Sequence, residues 1–310
     1  MQRLIELALE TVPRMLGQCD RSPSSVTAGC CDRNYWHYRL LDIPNARFQE
    51  AGLLFALAYA TPHPANRFAG KACVVEWVRR IWGFWLALRN SDGSVSEVYP
   101  HERSFCATAF STAAFLESVR LIGGASAWTS ELVAVRNTLA WLDENTNPDV
   151  ANQMLASWHA LQVYACLTGD TRCVEAASRR RRLCLALQDR DGVWPEYGGL
   201  DTGYQTISMS ILAGLLAMTP EDAELENALA RADAVIRDRI AEDGTIAPHL
   251  NSRGTQYLYP HALARMNSPL MKRVLRGVEN GQILRPTWLD DRYCHALASD
   301  YFLAFRGASC

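Results

Sequence analysis

The chain has 310 residues, 49% hydrophobic and 21% charged, with a net charge of −2, so it buries a large core unaided and lacks the basic field of a nucleic-acid binder. No stretch approaches the roughly 18 apolar residues of a membrane span, and the N-terminal MQRLIELALETVPRMLGQ interleaves Arg3, Glu6 and Glu10 with its apolar positions, unlike a signal peptide. Ten cysteines, several inside apolar helical runs such as Cys73, Cys166 and Cys184, read as buried reduced thiols and place the protein in the cytoplasm.

In chain order, helical patterns of two kinds alternate. Residues 2–17, 67–89, 128–144, 171–189, 221–240 and 268–280 read as amphipathic and charged. Residues 46–60, 104–122, 150–167, 202–218, 256–266 and 292–306 are rich in small residues and apolar on most faces. A helix apolar all round is buried all round, so the second set predicts an inner ring and the first an outer one. The run Arg179 to Arg182 reads as a solvated helix face.

The connections repeat as well. LALRNSDGSVSEVYP, LALQDRDGVWPEYGG and IRDRIAEDGTIAPHL each end a helix on Asp-Gly, and Gly93, Gly192 and Gly244 are 99 and 52 residues apart. A period near 50 also predicts connections at WLDENTNPDV, at LLDIPNARF around Pro44, and at WLDDRYCHA around Asp291. Six helix pairs at this spacing predict an all-α, (α/α)6 toroid occupying residues 1–310 as one domain. The alternative is an open solenoid, which the apolar final helix HALASDYFLAF argues against.

In a toroid the connections into the inner helices meet at one mouth, and here they are dense in aromatic, charged and amide residues. The first carries Arg33, Tyr35, Trp36, His37, Arg47 and Glu50; the second carries Glu97, Tyr99, His101, Glu102 and Arg103. Asn152 and Gln153 follow on the third, with Trp194, Glu196, Tyr197, Asp201 and Tyr204 on the fourth. The fifth holds His249, Asn251, Arg253, Tyr257 and His261, and the sixth Asp291, Arg292 and Tyr293. Converging polar groups on an aromatic floor define a ligand site, and aromatic faces beside planar polar groups suit a sugar ring. Tyr257 or His37 beside Arg253 would remove the proton next to a uronate carboxylate, with the guanidinium holding the developing charge. Glu97 and Glu196, if opposed, would instead support glycoside hydrolysis.

The phrases DRNYWHYRLLDIPNARFQEA, DGSVSEVYPHERSFCATAF, GVWPEYGGLDTGYQTIS, HLNSRGTQYLYP and LDDRYCHALASDYFLAF resemble a prokaryotic toroid family of polysaccharide gene clusters. That family is similar to the helical domain of heparinase II/III-like polysaccharide lyases. The resemblance, over about residues 19–306, implies carbohydrate-active chemistry on an acidic or lipid-linked oligosaccharide. Those lyases use an Asn, His, Tyr and Arg set around the cleft and carry a β-sandwich after the toroid. The candidates above come from their places at the mouth rather than from that set.

Three other readings are open: a terpenoid or prenyl cyclase, although Asp290-Asp291 is only a pair; a zinc enzyme using Cys30, Cys31, Cys294 or His295; and a non-catalytic glycan-binding protein. Adjacent helical residues diverge by about 100°, which sets Cys294 and His295 apart as ligands of one metal. The expectation is an enzyme without metal or cofactor, acting on a small molecule or oligosaccharide, with no nucleic-acid partner.

Overall fold

Alternating burial organises the chain. The computed structural model describes residues 1–197 and 199–308. In order, the helices are α1 (Gln2–Gln18), α2 (Arg33–Trp36), α3 (Ala51–Ala60), α4 (Ala72–Leu88), α5 (Phe105–Leu121), α6 (Thr129–Ala134) and α7 (Arg136–Glu144). There follow α8 (Ala151–Thr168), α9 (Thr171–Ala186), α10 (Thr202–Met218), α11 (Ala223–Ile236), α12 (His261–Arg265), α13 (Leu270–Asn280) and α14 (Cys294–Gly307). Among the described residues there are isolated β-bridges but no strand, and no helix is long and apolar enough to cross a membrane.

The inner ring runs α3, α5, α8, α10, α12, α14 and back to α3, each helix packed on the next, so the fold is a closed (α/α)6 toroid. Outside it stand α1, α4, α6 with α7, α9, α11 and α13. Outer helices bury one stripe, as α4 does with Val74, Val78, Ile81, Trp82 and Trp85. Inner helices are small and apolar enough to be enclosed by both rings. Their buried hydroxyls bond back to the preceding turn: Thr108 to the Ser104 carbonyl, Thr112 to Thr108, and Ser118 to Ala114. This satisfies a buried polar group without a partner from another helix.

Each Asp-Gly turn serves a packing purpose. Gly93 has φ +92°, and a Cβ there would lie 2.6 Å from the Asn137–Thr138 backbone, so the turn seats directly on α7. Gly192 and Gly244 seat on α11 and α13 in the same way. The equivalent in the first repeat is Gly29 rather than the Pro44 region that the period predicts. Gly29 also has φ +92°, and a Cβ would meet the Arg80 carbonyl of α4 at 2.1 Å. The bracket around it is repeated too. Gln49 holds the Cys31 N–H and the Gly29 carbonyl, as Gln205 holds the Trp194 N–H and the Gly192 carbonyl.

Several local expectations differ. The inner segment at 46–60 opens as a 3-10 turn, Ala46–Glu50, before α3. The fifth inner helix is only five residues long, since residues 256–260 are not helical. The arginine run is not simply solvated. Arg180 is buried and donates to the carbonyls of Asp143 and Asn145, closing the end of α7. Its neighbours Arg179 and Arg181 pair with Asp143 and with Asp222 and Glu224 of adjacent outer helices. Cys73 and Cys166 are exposed, whereas Cys184 is buried.

Candidate active site

The best-organised part of the mouth is built on Asp201. Its backbone is extended just before α10, and Oδ1 caps that helix by accepting the Tyr204 N–H at 3.1 Å. Oδ2 accepts the Arg253 N–H at 3.0 Å, and the carboxylate also takes the Thr255 hydroxyl. One buried carboxylate therefore joins the fourth and fifth connections. Asn251 reinforces the joint: Oδ1 accepts the Thr202 N–H and hydroxyl at 3.0 and 2.7 Å, and Nδ2 donates to the Thr255 carbonyl.

This anchoring aims the Arg253 guanidinium across the rings of Tyr197 and Tyr204, 4.4 and 5.6 Å from their centroids. Tyr204 in turn lies 6.5 Å from Tyr257, ring to ring, and Tyr257 lies 6.0 Å from Tyr259. Burial raises the hydroxyl pKa of all three tyrosines, so they stay protonated and can donate. Tyr204, Arg253, Tyr257, Asp290 and Tyr293 line a cavity of about 330 Å³.

Beside them sits Glu196, buried, its backbone bridged to Val150 and Gly199. Oε2 accepts a 2.5 Å bond from the Asn152 amide in the first turn of α8. Burial pushes its pKa up to about 7, and the Asn152 bond and the Arg253 charge only partly oppose that rise. A carboxyl that titrates near neutrality beside an arginine and two phenols is equipped to exchange protons.

Glu97 reaches the mouth differently. It is ion-paired with Arg292 and accepts the Ser104 hydroxyl at 3.0 Å. A second buried pair, Arg47 with Glu50, lies near; the remaining Arg47 nitrogen, Nη1, donates to the Cys106 thiol at 3.0 Å.

Other candidates are committed to holding loops. Glu102 Oε2 accepts the N–H groups of Glu97, Val98 and Tyr99, while Tyr99 itself is exposed. Gln153 accepts from Asn147, and the buried Trp194 indole donates to the Cys184 carbonyl. Asp291 pairs with Arg14 and accepts from Gln18, so it joins the last repeat to the first. Arg33, Tyr35, Trp36 and His37 gather at the end of α1. Arg33 donates to the Gly17 carbonyl and Trp36 to that of Gln18. Tyr35 is half-buried there, and the exposed His37 packs edge-on between Trp36 and Tyr38.

The candidate zinc ligands are scattered. Cys294 contacts Met15, and the fully buried His295 has both ring nitrogens without a hydrogen-bond partner. Among the described residues no three possible metal ligands come together.

Sequence reasoning passed over a deeper polar layer, of which it named only His261. Glu117 joins His159 at 2.8 Å and Arg120 at 2.7 Å. Ser210 bonds Asp300 and lies 3.3 Å from His261 Nδ1. Burial raises Asp300 to about 7 and lowers His261 to about 4. The available signal was a lone titratable residue in an otherwise apolar inner helix, as in ASWHALQ and LASDYFL.

Fold and site together define an α/α toroid protein with a polar, tyrosine-lined mouth. No family model matches the chain, and no curated protein matches it in sequence. Among solved structures it is similar to a D-mannose isomerase, with a TM-score of 0.64 and 12% identity over 99% of this chain and 98% of that one. At that identity the likeness shows the shared fold.

Proposed function

We propose that this chain is a carbohydrate-processing enzyme of the lyase or epimerase kind. It moves a proton at the carbon next to the carboxylate or carbonyl of a sugar in an acidic oligosaccharide. The observation that carries this reading is the buried Glu196 carboxyl, poised at about 7 between Asn152 and Arg253. Its ionised form takes the proton, Arg253 neutralises the charge that develops on the neighbouring carboxylate or enolate, and Tyr204 and Tyr257 donate hydrogen bonds to its oxygens. A protein named for isomerising D-mannose shares the fold, which supports a sugar as the substrate class.

One observation favours hydrolysis as a second reading: Glu97 is held in an ion pair while Glu196 is poised to keep a proton. Glycoside hydrolysis needs that asymmetry between two carboxyl groups.

The test is incubation of the protein in deuterated water with uronate-containing and neutral oligosaccharides. Proton transfer predicts deuterium at the carbon beside the carboxylate or carbonyl, or the ultraviolet absorbance of an unsaturated uronate, both abolished by Glu196→Gln. New reducing ends without either signal would replace this reading with hydrolysis. Silence across the whole panel, with no binding, would refute a carbohydrate substrate.

A further inference from the structure

The segment between α1 and α2 is a small closed loop with a thiol at each root. Asp20 and its partners pair across the base: the Asp20 N–H donates to the Cys30 carbonyl and the Gly29 N–H to the Asp20 carbonyl, both at 2.8 Å. Such reciprocal bonding sets the flanking residues, Cys19 and Cys31, opposite each other. Their sulfurs are 3.0 Å apart, and both residues are buried. A disulfide bond is about 2.05 Å long, so a shift of about an ångström joins them. Cys30, one residue away, turns its thiol toward the Asp32 carbonyl instead.

We propose that Cys19 and Cys31 form a reversible disulfide that closes the 20–30 loop and fixes the root of the first mouth segment. The oxidant is a hydroperoxide, small enough to reach Cys19, which keeps 6% of its surface exposed while Cys31 has none. The Cys19 sulfur attacks the peroxide oxygen, leaving a sulfenic acid and releasing an alcohol, or water from hydrogen peroxide. The Cys31 sulfur then displaces water from that sulfenic acid as the S–S bond forms. Two electrons pass from the thiols to the peroxide, and both thiol protons leave in the released products. A dithiol reductant reverses the change.

The consequence is local order. Cys31 hangs from Gln49, which also holds Gly29 and the Ile81 carbonyl of α4. Asp32, next in line, caps α2 and accepts the Asn45 N–H at 3.0 Å. A covalent tie at Cys31 therefore stiffens the root of the segment that carries Arg33 to His37.

The experiment treats the folded protein with hydrogen peroxide, blocks the remaining thiols after denaturation, and maps tryptic peptides without reduction. The expected result is one linked pair containing Cys19 and Cys31, with the other eight cysteines alkylated. Fragments cut after Arg21 should stay joined until reductant is added, and the melting temperature should rise by about 5 °C and fall back on reduction. Recovery of both thiols alkylated while the exposed Cys73 and Cys166 are oxidised would overturn the proposal, as would a link through Cys30. Cys31→Ser should abolish both the link and the thermal shift. If that variant does not fold, the wild-type map alone decides.

Discussion

Replacing Glu196 with glutamine should make the protein more stable and less active at the same time. The carboxyl is buried and its pKa rises from 4.5 to about 7, because burial disfavours its charged form. The linkage sign follows: protonation is favoured in the folded state, so stability is intact below about 4.5 and falls as pH rises through 7. At pH 8 the full cost of about 3 kcal/mol applies, at about 1.4 kcal/mol per pKa step. Glutamine has the same shape, carries no charge and still presents an oxygen to the Asn152 amide. Glu196→Gln should therefore melt about 5 °C higher than wild type at pH 8 and at nearly the same temperature at pH 4.5. Turnover should drop about 100-fold or more, as loss of a general base does, and the wild-type rate should fall on the acid side of pH 7. Thermal melts at the two pH values, read beside the deuterium-exchange assay, give both quantities. A variant less stable than wild type at pH 8 would refute the buried-charge argument.

Other parts of the molecule make separate demands. Asp201→Ala removes the α10 cap and leaves the buried Thr255 donors unpaired. It should cost about 4 kcal/mol in denaturant melts and release Arg253. Gly93→Ala puts a Cβ 2.6 Å from the α7 backbone at φ +92° and should cost about 3 kcal/mol, with little effect on the activity of the molecules that remain folded. His159→Ala strips Glu117 of the partner that, with Arg120, offsets its burial and holds its carboxyl down at about 2. That stability is present above about 4.5 and disappears as pH falls toward 2, so acid unfolding of the variant should begin at higher pH. An unchanged acid midpoint would count against the pair.

The toroid was legible because ring position imposes composition. Enclosed helices such as α5 and α8 have no polar face, outer ones such as α4 have one buried stripe, and the alternation survives every irregularity of spacing. The period landed inside the first connection, between α1 and α3, but missed its tight turn because it followed Asp-Gly, whereas in four of the connections the turn needs only a glycine seated on the next outer helix. Gly29 meets that requirement without an aspartate before it. At the mouth, residue type alone did not separate Asp201, Asn251, Glu102 and Gln153, which hold loops, from Arg253, which lines the cavity, and Glu196, buried within reach of the Arg253 charge. All are polar residues on or beside connections; the difference is which loop N–H groups each already serves, backbone N–H for Asp201, Asn251 and Glu102 and the Asn147 side-chain amide for Gln153. The deeper layer escaped because Glu117, Ser210 and Asp300 each stand alone in sequence; Glu117 meets His159, and Ser210 meets Asp300, only once the inner helices pack together.

Backbone strain points to the same end of the molecule. Among the described residues five non-glycine positions have positive φ, and four of them, Arg39, His101, Arg103 and Tyr197, lie on the mouth connections. A left-handed conformation costs such residues roughly 1 kcal/mol or more, a cost that glycine would avoid. Tyr197 is 59% exposed, so burial does not explain its retention at φ +50°; its ring lies 4.4 Å from the Arg253 guanidinium. Tyr197→Gly should therefore relax the backbone and leave the melting temperature unchanged or higher. It should also weaken sugar binding or turnover several-fold as Arg253 loses one wall. Opposite movement of stability and activity is what strain retained for a site produces, whereas parallel loss of both would make Tyr197 a packing residue.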